Sequence, residues 1–109
     1  MKNDGTYFLL IKLPSGDVAK TYPETIYPFT WNDINLFVHR CIDVIHDDDS
    51  IEYSKSFWQI SDKECGCNLM VEGATVIPNA KRQAIEKLEI LDIGLIKLAI
   101  ERGKKLVPA

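Results

Sequence analysis

No apolar run in this chain approaches the roughly 20 residues that a membrane-spanning helix requires. The densest stretch, Ile90 to Ile100, is interrupted by Asp92 and Lys97, so no membrane partner is expected. Met1-Lys2-Asn3-Asp4-Gly5 is not a basic segment leading into a long apolar one, and no small-residue cleavage site follows it. A cytoplasmic location is therefore expected. Cysteine is scarce and odd in number, with three in the chain, whereas a secreted disulfide framework normally uses an even number. Reduced thiols in a reducing compartment are the simpler expectation. A basic surplus is also missing, since 13 Lys and Arg face 16 Asp and Glu for a formal net charge of −3. Nucleic acid is not expected as the main partner, because phosphate binding draws on such a surplus. There is no Gly-rich phosphate loop and no nucleophile elbow, so catalysis is not expected and no cofactor is implied.

What the chain does contain is the composition of an ordinary globular protein, and its length fits a single α+β domain over residues 1–109. Tyr7 to Leu13 is rich in strand formers and ends at the turn Pro14-Ser15-Gly16-Asp17, after which Val18 to Tyr22 reads as the returning strand of an N-terminal hairpin. Pro23 to Pro28 reads as an ordered crossing loop, because each proline removes a backbone donor, with Ile26, Tyr27 and Phe29 fastening it to the core. Thr30 and Asp33 stand at capping-box spacing, and Ile34, Phe37, Val38, Cys41, Ile42 and Ile45 form an i, i+3, i+4, i+7 stripe. That pattern predicts an amphipathic helix over 30–46. Ile51 to Ile60 reads as a strand, Ser61 to Gly66 as a reversing loop and Cys67 to Glu72 as its partner, with Gly73 either a bulge or part of a tight turn before Ala74 to Ile77. Pro78 and Asn79 then open a C-terminal helical segment, 79–104, with Asn79 as N-cap and Gly94 as the point where it can divide. The expected architecture is an antiparallel sheet of about four to five strands, an N-terminal hairpin and a central meander, with both helical segments packed on one face.

The cysteines raise the sharpest chemical question. Cys65 and Cys67 flank a single glycine in Lys63-Glu64-Cys65-Gly66-Cys67. On a strand they share a face with Leu69 and Val71, and Cys41 falls on the apolar stripe of the expected helix. All three thiols are thus expected at one helix-sheet interface, packed as small apolar groups. The rival reading is a zinc site from Cys41, Cys65, Cys67 and a histidine, His39 or His46, or a thiol redox role. The usual C-x2-C spacing is absent, and a thiol in apolar surroundings has a raised pKa. His39, Asp43 and His46 would line the outer face of the same helix, where two imidazoles and a carboxylate at adjacent turns can hold a divalent ion, although surface pairing at this spacing is commonplace. Asp47-Asp48-Asp49 lacks the spacing and the closing Glu of a calcium loop.

Two features point to binding. Met1 to Ile77 carries 6 basic and 12 acidic residues, while the remainder carries 7 basic and 4 acidic, so the body is acidic and suits a basic protein partner. The residues expected to meet that partner are Asp47, Asp48, Asp49, Glu52, Asp62 and Glu64, with Tyr53 and Trp58 as aromatic anchors. The C-terminal segment is apolar over most of its circumference near Ile90 to Ile100, which suggests a homodimer seam through Ile93, Ile96 and Ile100. The expected function is thus that of a small cytoplasmic, non-enzymatic binding protein of the inhibitor, immunity or antitoxin kind, including those that counter host defences. A small-molecule pocket between helix and sheet, or at a dimer seam, is the first alternative. Ala74 to Ile77, Lys81 to Leu91 and Leu95 to Lys105 resemble faintly a ribbon-helix-helix repressor, which would imply a DNA-binding tail, but the strand lacks the alternating basic and polar residues that read base edges.

Overall fold

Asn32 and Asp33 both adopt positive φ, 46° and 66°, a conformation that short polar side chains tolerate and that two-residue hairpin turns demand. They close a hairpin between a strand at Ile26–Trp31 and one at Ile34–Ile45, with Trp31 paired to Ile34 across the turn. This overturns the expected helix over 30–46: Thr30 lies within a strand and Asp33 in a turn, so neither acts as a helix cap. The computed structural model describes residues 1–69 and 73–108. Among these the order is β1 Leu9–Lys12, β2 Val18–Thr21, β3 Ile26–Trp31, β4 Ile34–Ile45, β5 Ile51–Asp62, α1 Ile77–Ile90 and α2 Ile93–Lys104.

The α+β class holds, with the five strands divided between a β1–β2 hairpin and an antiparallel β3–β4–β5 sheet. The N-terminal hairpin is as expected, its turn closed by the Gly16 N–H on the Leu13 carbonyl at 2.9 Å. Pro28 lies inside β3 rather than in a crossing loop. Its missing donor is tolerated because β3 is an edge strand.

β4 is the centre of the molecule, and alternate side chains enter different cores. Ile34, Leu36 and Val38 join Ile60, Ala80, Ala84, Leu88 and Ile96 in a core beneath the helices. Phe37, with Ile42 and Ile45 at its edge, joins Leu9, Ile11 and Ile26 in a core beneath the N-terminal hairpin. A strand covered on both faces carries a nearly continuous apolar run, and such a run satisfies helical spacing by default. Register shifts around Cys41, between Arg40 and Ile42 and again before Val44, mark a bulged stretch.

The C-terminal segment is helical as expected, but it divides at Leu91 and Asp92, not at Gly94. The Asp92 carboxylate accepts from the Gly94 N–H at 2.7 Å and the Leu95 N–H at 3.3 Å, capping α2. Pro78 stands in the first turn of α1, where its lost donor has no partner to lose, so Asn79 is inside the helix and Val76 is the N-cap. Ala74 makes a bridge to Trp58 and Ile77 already begins α1, so the strand of the ribbon-helix-helix resemblance is absent among the described residues. The strand expected over 67–72 retains one bridge, Asn68 to Ser61, and lies beyond residue 69 outside the described residues. Among the described residues no helix is long and apolar enough to cross a membrane.

Candidate functional site

β5 ends at Asp62, and the chain reverses sharply over the next five residues. The Gly66 N–H donates to the Asp62 carbonyl at 3.0 Å and the Asp62 N–H to the Cys67 carbonyl at 3.1 Å. The Leu10 N–H holds the Gly66 carbonyl at 3.0 Å, which fastens the reversal to β1. Gly66 has φ +67°, and a Cβ there would come within 2.6 Å of the Phe8 carbonyl oxygen. Only glycine suits this position.

The reversal folds two thiols over one carboxylate. Asp62 Oδ1 accepts from the Cys65 N–H at 2.8 Å, while Oδ2 accepts from the Cys65 S–H at 2.8 Å and the Cys67 N–H at 3.3 Å. Asp62 and Cys65 are each 1% exposed, and Cys67 is half-buried. One ligand-type atom from each of the three residues lies within 4.8 Å of the others. The last turn of α2 closes the other side, where a Cβ on Gly103 would lie 2.7 Å from Cys65 Sγ and 3.2 Å from Cys67 Sγ. The two thiols differ in acidity. Cys65 is pushed up by its hydrogen bond to Cys67, by burial and by Asp62. The same hydrogen bond lowers Cys67, against burial and the Asp62 charge.

The other sequence candidates are dispersed. Cys41 is buried elsewhere, where a Cβ on Gly73 would meet its sulfur at 2.5 Å, so the three thiols do not share one interface. His46 pairs with Glu52 at 3.3 Å on the surface. The group holding Cys65 and Cys67 contains neither Cys41 nor His39 or His46, and the four-ligand zinc site is not assembled. His39 does not face outward with Asp43 and His46. It is 1% exposed, its Nδ1–H donates to the Arg40 carbonyl and its Nε2 accepts from the Ser61 hydroxyl, both at 2.8 Å. Burial depresses its pKa to about 4.

The acidic candidates fall at opposite ends of β5. Asp47, Asp48 and Asp49 form the exposed β4–β5 turn, with Glu52 beside it. The Asp48 carboxyl is lowered by hydrogen bonds from Ser50. Glu64 lies at the far end, 3.7 Å from Lys104 Nζ, and buried Asp62 is removed from any surface contact. Tyr53 is half-buried with its hydroxyl 2.6 Å from Thr21 Oγ1. Trp58 is covered by the Arg40 guanidinium at 3.7 Å and by the edge of Tyr27, so neither aromatic stands free as an anchor. The pocket expected beside helix 30–46 loses its wall, since that segment is β4. A concavity of about 300 Å³ opens instead between Glu24, Arg40, Tyr53 and Lys55.

The expected dimer seam is also revised. Ile96 is 6% exposed and Ile100 packs against the helix-side core, leaving Ile93 exposed. The other uncovered apolar side chains of the C-terminal segment are Ile90 at 84%, Leu95 at 62%, Leu106 at 65%, and Leu91 and Leu98 at nearly half. The excess was legible as an all-round apolar helix; which side faced inward was not. No protein-family model, curated protein or solved structure matches this chain.

Proposed function

We propose that this protein acts by binding a protein partner rather than by turning over a substrate, as inhibitors, immunity proteins and antitoxins do, in a cytoplasmic setting. The observation that carries the reading is the run of exposed apolar side chains where α1 ends and α2 begins, Ile90, Leu91 and Ile93, continued by Leu95 and Leu98 on the outer side of α2. Exposed apolar side chains in one neighbourhood are a recurrent mark of association surfaces. The acidic turn at Asp47, Asp48 and Asp49 supplies a charged surface that attracts basic groups on the partner and sets the rate of encounter more than the final affinity.

The test is affinity capture from the native cytoplasm with the wild-type chain and with Leu95→Asp. A saturable, stoichiometric protein partner retained by the first and lost by the second supports the reading. Sedimentation of the purified chain runs alongside. If it sediments as a dimer that Leu95→Asp dissociates, this run of side chains serves self-association instead, and a monomer that captures no saturable partner sinks the proposal.

A further inference from the structure

We propose that Cys65 and Cys67 form a reversible dithiol/disulfide centre that exchanges with disulfide substrates, with Cys67 as the attacking sulfur, Cys65 as the resolving sulfur and Asp62 as the base. The activity is additional to partner binding and does not depend on it. Three geometric facts assign the roles. Cys67 is half-buried while Cys65 is covered, so Cys67 is the thiol that an incoming disulfide meets first. Gly66 at φ +67° turns the chain back between them, bringing both sulfurs and a carboxylate oxygen within 4.8 Å of one another. The Asp62 Oδ2 to Cys65 Sγ contact of 2.8 Å is a proton path already made. The lowering of Cys67 and raising of Cys65 agree with this division, since the thiolate is the nucleophile.

The exchange balances as follows. The Cys67 thiolate attacks one sulfur of a substrate R–S–S–R′, the substrate S–S bond breaks, and R′–S⁻ leaves, giving a mixed disulfide on Cys67. Cys65 passes its proton to the Asp62 carboxylate and attacks the Cys67 sulfur. The mixed disulfide breaks, R–S⁻ leaves with the proton held by Asp62, which restores the carboxylate, and R′–S⁻ takes from solvent the proton that Cys67 released on becoming a thiolate. Two electrons have moved from the protein dithiol to the substrate, which departs as two thiols, and Cys65 and Cys67 are joined.

The same geometry argues that the product is labile. Asp62 is buried with the Cys65 N–H, the Cys65 S–H and the Cys67 N–H as its donors, and disulfide formation removes the S–H. A buried carboxylate that loses a donor disfavours the oxidised state, which places the pair among exchangeable rather than structural disulfides. A metal ion fits less well. Two tetrahedral zinc ligands, one sulfur and one oxygen, stand roughly 3.5 Å apart given the usual bond lengths, whereas Asp62 Oδ2 and Cys65 Sγ are 2.8 Å apart around a shared proton.

The test uses the purified full chain equilibrated against reduced and oxidised glutathione, quenched by alkylation and read by mass spectrometry of peptides. The expected result is loss of two alkylatable thiols together, at Cys65 and Cys67, reversed by reduced glutathione while Cys41 remains free. Cys65→Ser should trap one glutathione on Cys67, and Cys67→Ser should leave Cys65 unreacted on the same timescale. Asp62→Asn should accumulate the mixed disulfide by tenfold or more over wild type. Because that variant removes a buried charge and can misfold, the Cys65→Ser trap is the deciding measurement. Absence of a Cys65–Cys67 disulfide under fully oxidising glutathione, glutathione attached first to Cys65, or a stoichiometric metal ion that protects both thiols would each overturn the proposal.

Discussion

β4 and α2 both carry more apolar side chains than a one-sided surface element requires, and they dispose of the excess in opposite ways. β4 sends Leu36 and Val38 under the helices and Phe37 under the N-terminal hairpin, so both of its faces are covered. α2 buries Ile96 and Gly103 and half-buries Ile100, yet leaves Leu95 and Leu98 in solvent. An apolar surplus thus reads as a second core where another layer lies across it and as an uncovered surface where none does. The largest expected effect follows directly. Phe37→Ala should lower the unfolding free energy by about 3–5 kcal/mol, the usual range for a fully buried aromatic, whereas Leu95→Ala should change it by less than about 0.5 kcal/mol, as exposed positions do. Urea titration of the two variants measures the difference, and comparable losses would erase the contrast between the elements.

Two-sided burial of β4 also encloses a titratable group, which gives the second test. His39 is held neutral between Ser61 and the Arg40 carbonyl, with its pKa depressed from 6.5 to about 4. The unfolded chain takes up this proton below about pH 6.5, whereas the folded chain does so only below about pH 4. Stability from His39 is therefore complete above pH 6.5, falls as the pH drops from there to about 4, and is flat below. A shift of this size corresponds to about 3 kcal/mol at most. His39→Gln should flatten that part of the stability profile, and α2 offers no counterpart because it contains no histidine.

These contrasts explain what the sequence disclosed. The N-terminal hairpin and the C-terminal helices were legible because the turn residues Pro14 to Asp17 and the helix-opening Pro78 act locally. β4 was not, because Ile34, Phe37, Val38, Cys41, Ile42 and Ile45 satisfy a helical period that two-sided burial produces by accident. Its true signals were Leu36 and Val38 flanking Phe37 in a run rich in β-branched residues, and Asn32-Asp33, a pair suited to positive φ. Cys65 and Cys67 were visible as a pair, but their carboxylate was assigned to the surface. Asp62 is buried only because the reversal over 63–67 brings two N–H donors back onto it and α2 lays Gly103 across the top, contacts that no local pattern encodes.

Gly103 marks where α2 is as tightly covered as β4. Gly103→Ala should cost about 1–3 kcal/mol by overpacking against the two sulfurs, and it should hasten alkylation of Cys67 because the last turn is pushed off them. An exposed glycine replaced by alanine in a helix would instead gain stability, so the sign of the change alone distinguishes a packed last turn from a free one.

The smallest effect on stability belongs to the residue with the largest expected effect on binding. Leu95→Asp places a charge on a side chain 62% exposed, where no core contact is lost, so thermal unfolding should move by no more than the equivalent of about 0.5 kcal/mol. Ile96→Asp, one residue on and 6% exposed, would bury an unpaired charge and should fail to fold. If the exposed apolar run from the end of α1 along α2 is the contact surface, Leu95→Asp abolishes partner capture while remaining folded, because an aspartate desolvated at the centre of an apolar contact has no group to pair with. A folded Leu95→Asp protein that binds as well as wild type would mean that the apolar surplus of α2 is tolerated rather than used, and the comparison with β4 would then be one of packing alone.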